Sequence, residues 1–430
     1  MKHVSNHRHT NRTHERYRRK RSRSRRGKHS KFNLKHYIIR NRKKLLVVAV
    51  SIFVVIALVV VAGVIDKGNE KQVSLNTGNA ITSTTQSIKL EIPLFTDDVS
   101  LANSGVFAVM NLDSNVPFAY VLTSMRGESA TRMDYEIPVD LSFQVLGVPD
   151  GCELKSANIQ VSENETFSDF TVCDLENKTT VKIYHLKTGT KYYYKLNLSF
   201  IGCGDTSAIG SFKTADTPRI LSIEGAANVR DIGGWNTSYG VKVKQGLLYR
   251  GSELDGAVFS GYTATPRGIS TLKSVLGIRS DFDLRSPDEN KNLIDALGSD
   301  VQHTYYSAFM YSYVFTPNGK SYIRRLFSDL SNRDKYPIYM HCTHGLDRTG
   351  TAVYLLEAIL GVGEDDLMRD YQLSALYHNG LWAYDQMLEF VEQLKEYPGD
   401  NINEKAENFL KSVGVTDIEI VNIRNIFLGI

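Results

Sequence analysis

The sequence predicts an α/β domain with a central, mostly parallel β-sheet flanked by helices, preceded by an all-β module and one transmembrane helix. Three features of the 430-residue chain support this prediction. Strand and helix patterns alternate from about residue 255 to residue 430, which is typical of a parallel sheet. Short β-rich segments separated by turn residues fill residues 91–215. Residues 45–65 form a predominantly apolar run without a charged residue.

The first 44 residues are strongly basic. They contain 18 Lys or Arg residues and one acidic residue, Glu15, so their charge is +17 and the rest of the chain carries −13 of the overall +4. With few aliphatic side chains this segment cannot bury a core, and we predict a disordered cytoplasmic tail over residues 1–44. We expect the tail to set membrane topology and to attract anionic lipid. Because it lacks a folded motif, we expect no specific nucleic-acid binding.

The segment Leu45–Ile65 contains 21 residues without a charge. At about 1.5 Å per residue, a helix of this length spans about 30 Å, the thickness of a bilayer core. A cleaved signal peptide has a shorter apolar region, so an uncleaved signal anchor is the favoured interpretation. Basic residues precede the run, and the positive-inside rule places them in the cytoplasm and residues 66–430 outside. The expected localisation is therefore the cell membrane, in a single pass.

Two segments are expected between the anchor and the α/β domain. Residues 66–90 are rich in Ser, Thr, Asn, Gly and Gln, and predict a flexible stalk. Residues 91–215 predict a β-sandwich whose last strands, from Leu186 onward, resemble the end of a fibronectin type III module. The module holds three cysteines, and the sequence does not choose a disulfide among them: Cys152, Cys173 and Cys203.

The most informative segment is a ten-residue loop between a predicted strand and a predicted helix. Residues 336–340 predict a short buried strand, and residues 351–360 predict an apolar helix that ends at Gly361. The loop between them reads His341-Cys342-Thr343-His344-Gly345-Leu346-Asp347-Arg348-Thr349-Gly350. A thiolate can attack phosphorus, an arginine can hold two phosphate oxygens, and five intervening residues can direct backbone N–H groups at an anion. A helix N terminus favours both the thiolate and the phosphate.

This loop resembles the active-site loop of the cysteine-dependent phosphatases, which act on tyrosine or on both tyrosine and serine or threonine. Three further segments are similar to the bacterial tyrosine-phosphatase branch that includes the secreted mycobacterial enzymes: Asn228-Val229-Arg230-Asp231-Ile232-Gly233-Gly234, the segment from Gly246 to Leu254, and Asp283-Leu284-Arg285. The resemblance covers residues 219–430 and implies the α/β cysteine-phosphatase fold. Leu346 departs from that branch, which usually has Lys there, and this argues against a lipid substrate.

The resemblance implies a role for each loop residue. Cys342 is the expected nucleophile, Arg348 the phosphate ligand and Asp347 the general acid; residues 304–320 contain no Asp or Glu that could act instead. Five residues are expected to bind the substrate, mainly through backbone groups, although His344 could instead face solvent: Thr343, His344, Gly345, Leu346 and Thr349. Five more are expected to support the loop rather than act directly: His341, Arg230, Asp231, Asp283 and Arg285.

The sequence thus predicts a membrane-anchored phosphatase that hydrolyses phosphate monoesters through a cysteinyl-phosphate intermediate. We expect no metal or other cofactor, since no Cys–His cluster has zinc-ligand spacing and the thiolate chemistry needs none. The expected partner is a phosphorylated protein or a small phosphate ester. Two alternatives remain: a phosphoinositide phosphatase, and a pseudoenzyme or adhesion module that binds phosphorylated ligands without turnover.

Overall fold

The computed structural model describes residues 88–117, 132–175, 178–289, 295–377 and 383–430. The predicted basic tail, the predicted anchor and all but the last residues of the predicted stalk lie outside these ranges. Within the described ranges, no helix is both long enough and apolar enough to cross a membrane.

The N-terminal part of the described chain is built from eight antiparallel strands. A four-stranded sheet has the order β5-β4-β7-β8, and two pairs, β1-β3 and β2-β6, complete the region. The strands are β1 (Lys89–Glu91), β2 (Val139–Ser142), β3 (Gln144–Leu146), β4 (Glu153–Ser162), β5 (Thr171–Asp174), β6 (Thr180–Ile183), β7 (Lys191–Ile201) and β8 (Gly204–Lys213). The fibronectin type III identity of this region stays a prediction.

Strand β7 shows why this region folds as a half-buried sheet. Its alternate residues Tyr192, Tyr194, Leu196, Leu198 and Phe200 are all buried, whereas the residues between them are partly or fully exposed. Successive side chains of a strand point to opposite faces, so this alternation places one apolar face in the core. Burying each such side chain contributes about 1.5–3 kcal/mol.

A disulfide joins Cys152 and Cys203, which the sequence left undecided. Their Cα atoms lie 5.7 Å apart, at the start of β4 and in the turn between β7 and β8. Cys173 is a free, half-buried cysteine in β5. The register of β4 against β7 places Glu153 opposite Ile201, so the neighbouring cysteines meet across the sheet.

The described part of the chain between β1 and β2 contacts the α/β region. It contains helix α1 (Ser104–Asn111), capped by Asn103, and the segment 132–137, which we call the strap. The strap is attached to the α/β region by a hydrogen bond from Met133 N to Leu376 O (2.9 Å). The side chain of Ser114 likewise bonds to Asp365 at 2.5 Å. The sequence had treated this stretch as part of a separate module, and such long-range attachments have no local signature.

The α/β region contains a five-stranded sheet with the order β12-β11-β13-β10-β9. The first four of these strands are parallel to their neighbours, and β9 is antiparallel to β10. The prediction of a mostly parallel central sheet is therefore confirmed. The strands are β9 (Arg230–Asp231), β10 (Leu248–Gly251), β11 (Ser280–Asp283), β12 (Gln302–Tyr305) and β13 (Ile338–His341).

Seven α-helices of the described region surround this sheet: α2 (Pro266–Ser270), α3 (Pro317–Leu330), α4 (Asp347–Ile359), α5 (Glu364–Leu373), α6 (Tyr384–Leu394), α7 (Ile402–Ser412) and α8 (Asp417–Phe427). Thr416 is the N-cap of α8, where it forms a reciprocal capping box with Glu419. Helices α3 and α7 were not predicted. The predicted helix 351–360 begins earlier, at Asp347, so that Arg348 lies on its first turn.

Candidate active site

Cys342 lies at the carboxyl end of the most deeply buried part of the sheet. Strand β13 is fully buried between β10 and β11, and Cys342 follows its last residue. In open α/β sheets, ligands bind beyond the carboxyl ends of the strands. The loop turns into α4 through Gly345, whose φ is +66°. A Cβ atom at Gly345 would lie 2.3 Å from the carbonyl oxygen of Gly251, so this turn requires glycine.

A cavity of 380 Å³ opens above this loop. Five of its lining residues belong to the loop: Cys342, Thr343, His344, Asp347 and Arg348. The remaining lining residues come from three other segments: Val258, Glu289, Ala308, Phe309, Met310 and Tyr313. The structure therefore brings the expected nucleophile, phosphate ligand and general acid together in one cavity.

Three expected substrate-binding residues do not line this cavity. Gly345, Leu346 and Thr349 are buried. The Thr349 hydroxyl has no hydrogen-bond partner within the described residues. For these three residues the expected role in binding stays a prediction.

Arg348 is held by a carboxylate that the sequence did not single out. Its two terminal nitrogens donate to Glu289 at 2.7 and 2.9 Å, and one of them also donates to Thr343 Oγ1 at 3.3 Å. Burial would raise the pKa of Glu289, but the bonds from Arg348 and from the Ser286 backbone lower it below its usual range. Burial would lower the pKa of Arg348, but nearby Cys342 and Glu289 raise it. Both partners therefore stay charged at neutral pH. The one signal in the sequence was the Ser-x-x-Glu turn after Arg285, which holds the Glu289 carboxylate.

Asp347 also has a partner that the sequence did not reveal. The Tyr311 hydroxyl donates to Asp347 Oδ1, and a second hydroxyl, that of Tyr371, lies 2.8 Å from the Tyr311 oxygen. Burial, with the neighbouring Tyr371 and Asp347, raises the pKa of Tyr311 far above its usual range, so the phenol stays protonated and acts as a donor. The Tyr311 backbone N–H donates to Thr351 Oγ1 on α4 at 2.9 Å. Asp347 is thus held in one orientation at the cavity wall.

His341 lies behind the loop, buried among carboxylates. Its Nε2 atom is 3.1 Å from Asp281 Oδ1 and 3.9 Å from Asp283 Oδ2, and its Nδ1 atom is 3.2 Å from the Cys342 carbonyl oxygen. Burial alone would lower the pKa of His341, but Asp283 and Asp281 raise it to about 9. At neutral pH the imidazole is therefore protonated, and an Nδ1–H group can donate to the backbone of the nucleophile.

Asp283 and Arg285 are at the centre of a buried ion cluster and do not line the cavity. Arg285 donates to Asp283 at 2.7–3.1 Å, to Asp255 at 2.7 and 2.9 Å, and to Glu253. The Glu253 carboxylate in turn accepts the backbone N–H of Val258, a residue of the cavity wall. This arrangement fits the expected supporting role for Asp283 and Arg285.

Arg230 and Asn228 support the loop from the opposite side. Arg230 donates to Asp370 and, at 2.6 Å, to Asn228 Oδ1. The Asn228 amide then donates to the carbonyl oxygens of His344 (3.1 Å) and Gly345 (3.2 Å). Arg250, to which the sequence assigned no role, donates directly to Gly345 O at 2.9 Å. Burial and nearby Arg230 lower the pKa of Arg250 to about 10, so it remains charged.

Asp231 acts at a different place. Its carboxylate accepts N–H groups from Gly233, Gly246 and Arg219 at 2.6–2.8 Å. Arg219 in turn donates to the carbonyl oxygens of His185 and Leu186 in the β-rich region. Asp231 thus secures the junction between the two regions and not the loop itself.

Aromatic side chains surround His344 at the rim of the cavity. His344 Nδ1 lies 3.1 Å from the Tyr262 hydroxyl and 3.3 Å from the Tyr377 hydroxyl, and the Phe259 ring centroid is 6.0 Å from that of His344. Phe259 is 49% exposed and Tyr313, across the cavity, is 63% exposed, so the mouth offers apolar contact surface. In the described part of the chain, no group of three or more His, Cys, Asp or Glu side chains is arranged to hold a metal ion.

Comparison with known proteins gives a consistent result. Residues 221–428 match the family model described as the tyrosine phosphatase family. A protein of Cupriavidus necator named as a tyrosine-protein phosphatase is 28% identical over 175 residues, covering 35% of this chain and 61% of the relative. A tyrosine-protein phosphatase of Nostoc commune is 24% identical over 197 residues, covering 35% of this chain and 66% of the relative. The chain thus spans less than two thirds of the length of either relative.

Among solved structures, the core catalytic domain of a PP-IP phosphatase of S. cerevisiae, determined in complex with citrate, is similar to part of this chain. The sequence identity is 20%, the TM-score is 0.28, and the match covers 44% of this chain and 98% of the other.

Proposed function

We propose that this protein is a protein-tyrosine phosphatase that hydrolyses phosphate monoesters, because residues 221–428 match the family model described as the tyrosine phosphatase family. The observation that carries the proposal is the cavity in which Cys342, Asp347 and Arg348 meet. These three residues supply a nucleophile, an acid and a bidentate phosphate ligand, which together suffice for thiol-based phosphoryl transfer.

In the first half of the reaction, the Cys342 thiolate attacks the phosphorus atom. The S–P bond forms while the bond from phosphorus to the leaving oxygen breaks. Arg348 holds two phosphate oxygens. The N–H groups of the loop donate hydrogen bonds that stabilise the negative charge developing on the phosphate oxygens. Asp347, in its protonated form, gives its proton to the leaving oxygen. The bidentate bonds from Arg348 to Glu289 support this role because they fix the plane of the guanidinium group.

In the second half, water attacks the phosphorus atom of the cysteinyl phosphate. Asp347, now a carboxylate, takes a proton from this water. The S–P bond breaks, the thiolate is regenerated, and inorganic phosphate leaves. The protonated His341 supports this cycle because it can donate to the carbonyl oxygen of Cys342 and so hold the backbone of the nucleophile.

The cavity lining favours a substrate with one phosphate on an aromatic group. Of the described lining residues, one is Lys or Arg, namely Arg348, while two are carboxylates, Glu289 and Asp347. A polyphosphorylated head group needs more cationic ligands than this. The exposed rings of Phe259 and Tyr313 offer contacts to an aryl group. Leu346, buried where the bacterial branch usually has Lys, adds no charge, so a phosphoinositide is the less favoured substrate.

We further propose that residues 66–430 lie outside the cytoplasmic membrane, held by the anchor at residues 45–65. The basic residues before Leu45 support this topology. The disulfide between Cys152 and Cys203 adds support, since disulfides persist mainly in oxidising compartments. The substrate would then be a surface polymer, an exported or foreign protein, or a small phosphate ester.

The test is phosphate release by the purified full chain from a phosphotyrosine peptide, a phosphoserine peptide and phosphoinositide vesicles. We expect the phosphotyrosine peptide to be hydrolysed fastest, and Cys342→Ser to release no phosphate from it. Faster release of phosphate from the vesicles would indicate that the substrate is a lipid and not a protein. Binding of the phosphotyrosine peptide without release by the wild-type chain would indicate a pseudoenzyme.

A further inference from the structure

The strap, residues 132–137, lies outside the segment that matches the phosphatase family, yet it reaches the support of the phosphate-binding loop. Asp134 is 6% exposed, and its Oδ2 atom accepts the backbone N–H of Asn228 at 2.7 Å. Asn228 is the residue whose side chain holds the carbonyl oxygens of His344 and Gly345. Asn228 therefore connects the Asp134 carboxylate to the phosphate-binding loop.

Both the backbone and the side chain of Asn228 are held by other residues. Its φ is +57°, in the left-handed region that residues other than glycine rarely adopt. Its N–H is directed to Asp134, and its side-chain oxygen accepts from Arg230 at 2.6 Å. The two contacts fix both the backbone and the side chain of Asn228, so that its amide N–H groups reach the loop.

Asp134 is itself held rigidly. Arg132 donates to both of its carboxylate oxygens at 2.8 Å, and also to the carbonyl oxygen of Ala226 at 3.2 Å. The side-chain amide of Asn103 donates to the carbonyl oxygens on either side of Asp134, those of Met133 (2.7 Å) and Tyr135 (2.8 Å). A carboxylate fixed on both sides transmits its position to its partner, whereas a mobile one does not.

We propose that Asp134 is a positioning residue for the phosphate-binding loop and acts through Asn228. The expected fall in kcat rests on the proposed phosphatase function, whereas the expected effect on the order of the loop does not. The region before residue 219 would then contribute a residue that positions the active-site loop, in addition to linking the α/β region to the rest of the chain. In the proposed mechanism, an unsupported loop would misdirect the N–H groups that bind the transition state, and kcat would fall.

The strap offers a matched control in Glu136. Glu136 is 5% exposed, and its carboxylate accepts backbone N–H groups from Ser222 at 3.0 Å and from His185 at 2.7 Å. Like Asp134 it is a buried carboxylate of the strap that bonds to the α/β region. Within the described residues, its hydrogen bonds and its ion pair are to Ser222 and His185 and not to Asn228. Asp134→Ala and Glu136→Ala should therefore cost similar stability but differ in their effect on the loop.

The experiment compares these variants in the full chain by hydrogen–deuterium exchange and by kinetics. We expect Asp134→Ala to speed exchange in peptides covering residues 341–350 and to lower kcat on an aryl phosphate about tenfold. Glu136→Ala should leave both unchanged. In a double-mutant cycle, Asn228→Ala combined with Asp134→Ala should be no slower than Asn228→Ala alone, because both act through one contact.

Hydrogen–deuterium exchange in the loop tests the role of Asp134 whether or not the chain is a phosphatase. A wild-type chain without phosphatase activity would overturn the proposed function only, and loop exchange would still test Asp134. Equal loop exchange in Asp134→Ala and Glu136→Ala, or an additive double-mutant cycle, would overturn the positioning role. If Asp134→Ala does not fold, Arg132→Gln replaces it, since the Arg132 side chain is 52% exposed and its loss should be tolerated. Unchanged loop exchange in Arg132→Gln would then refute the proposal.

Discussion

Glu289 holds Arg348 by two bonds of 2.7 and 2.9 Å, although the two residues are 59 positions apart in the chain. A planar guanidinium group with one edge bound to a carboxylate can rotate little, so its remaining N–H groups keep a fixed direction. The phosphate ligand is therefore oriented before any substrate arrives.

This relationship predicts a graded loss of activity. Arg348→Lys should lower kcat/KM at least about 100-fold, about 2.7 kcal/mol, because a point charge cannot replace the planar fork. Glu289→Gln should lower it about tenfold, since Arg348 stays but is less well oriented. The control is Glu407→Gln, which removes a similar partly exposed carboxylate bonded to Arg424. Near-normal turnover by Arg348→Lys would show that Arg348 is not the phosphate ligand.

Cys342→Ser should abolish hydrolysis of an aryl phosphate while the protein stays folded. A serine hydroxyl is a far weaker nucleophile than a thiolate at neutral pH. Cys173→Ser is the matched control, because Cys173 is the other free cysteine of the described chain and lies in β5. The measurements are kcat with p-nitrophenyl phosphate and the thermal unfolding midpoint. Activity of Cys342→Ser within about tenfold of the wild type would contradict the thiolate mechanism.

Asp347→Asn should slow substrates with poor leaving groups much more than substrates with good ones, because only the former need a proton in the transition state. It should also remove the basic limb of the pH–rate profile. Tyr311→Phe should show the same dependence on the leaving group with a smaller loss, since it removes the hydroxyl that orients Asp347.

The control for Tyr311 is Tyr306→Phe, because Tyr306 donates to Asp329 at 2.8 Å and does not line the cavity. Equal slowing of good and poor leaving groups by Asp347→Asn would assign the general acid to another residue.

Protein stability should fall as the pH rises from about 6.5 to 9. The pKa of His341 is raised to about 9 in the folded state, against about 6.5 when unfolded. A raised pKa contributes stability that is fully present below pH 6.5 and is lost as the pH rises through 9, up to about 3 kcal/mol. The buried carboxylates of Asp281 and Asp283 are the cause, so Asp281→Asn should weaken the effect.

Urea unfolding between pH 6 and 9 measures this contribution. His341→Gln should make the free energy of unfolding less dependent on pH in this window. If the free energy of unfolding depends on pH identically in the wild type and in His341→Gln, then His341 has the same pKa in the folded and unfolded states.

Protease added to intact cells, with any wall removed, should digest residues 66–430 and spare only the tail and the anchor. The expectation follows from the charge asymmetry around residues 45–65, where +17 precedes the apolar run. The readout is an immunoblot against the α/β domain before and after lysis. Survival of that domain until the membrane is lysed would reverse the topology and make the enzyme intracellular.

The sequence was most informative where the catalytic residues lie close together in the chain. Cys342, Asp347 and Arg348 lie within seven residues, and the strand before them and the helix after them determine how the chain turns. The helix predicted over residues 351–360 likewise followed from a local apolar pattern, although it begins earlier, at Asp347. Helix α3 was missed because the stretch before and around Pro317 looked like a loop without carboxylates.

The sequence by itself determined the nucleophile, the phosphate ligand and a mostly parallel sheet, because each depends on residues close together in the chain. Only the tertiary structure decided which distant side chains orient them: Glu289 for Arg348, Tyr311 for Asp347, and Asp134, through Asn228, for the loop. Ion pairs and hydrogen bonds between residues tens to hundreds of positions apart leave no periodic trace. They form only when packing brings the elements together, and packing depends on the whole chain.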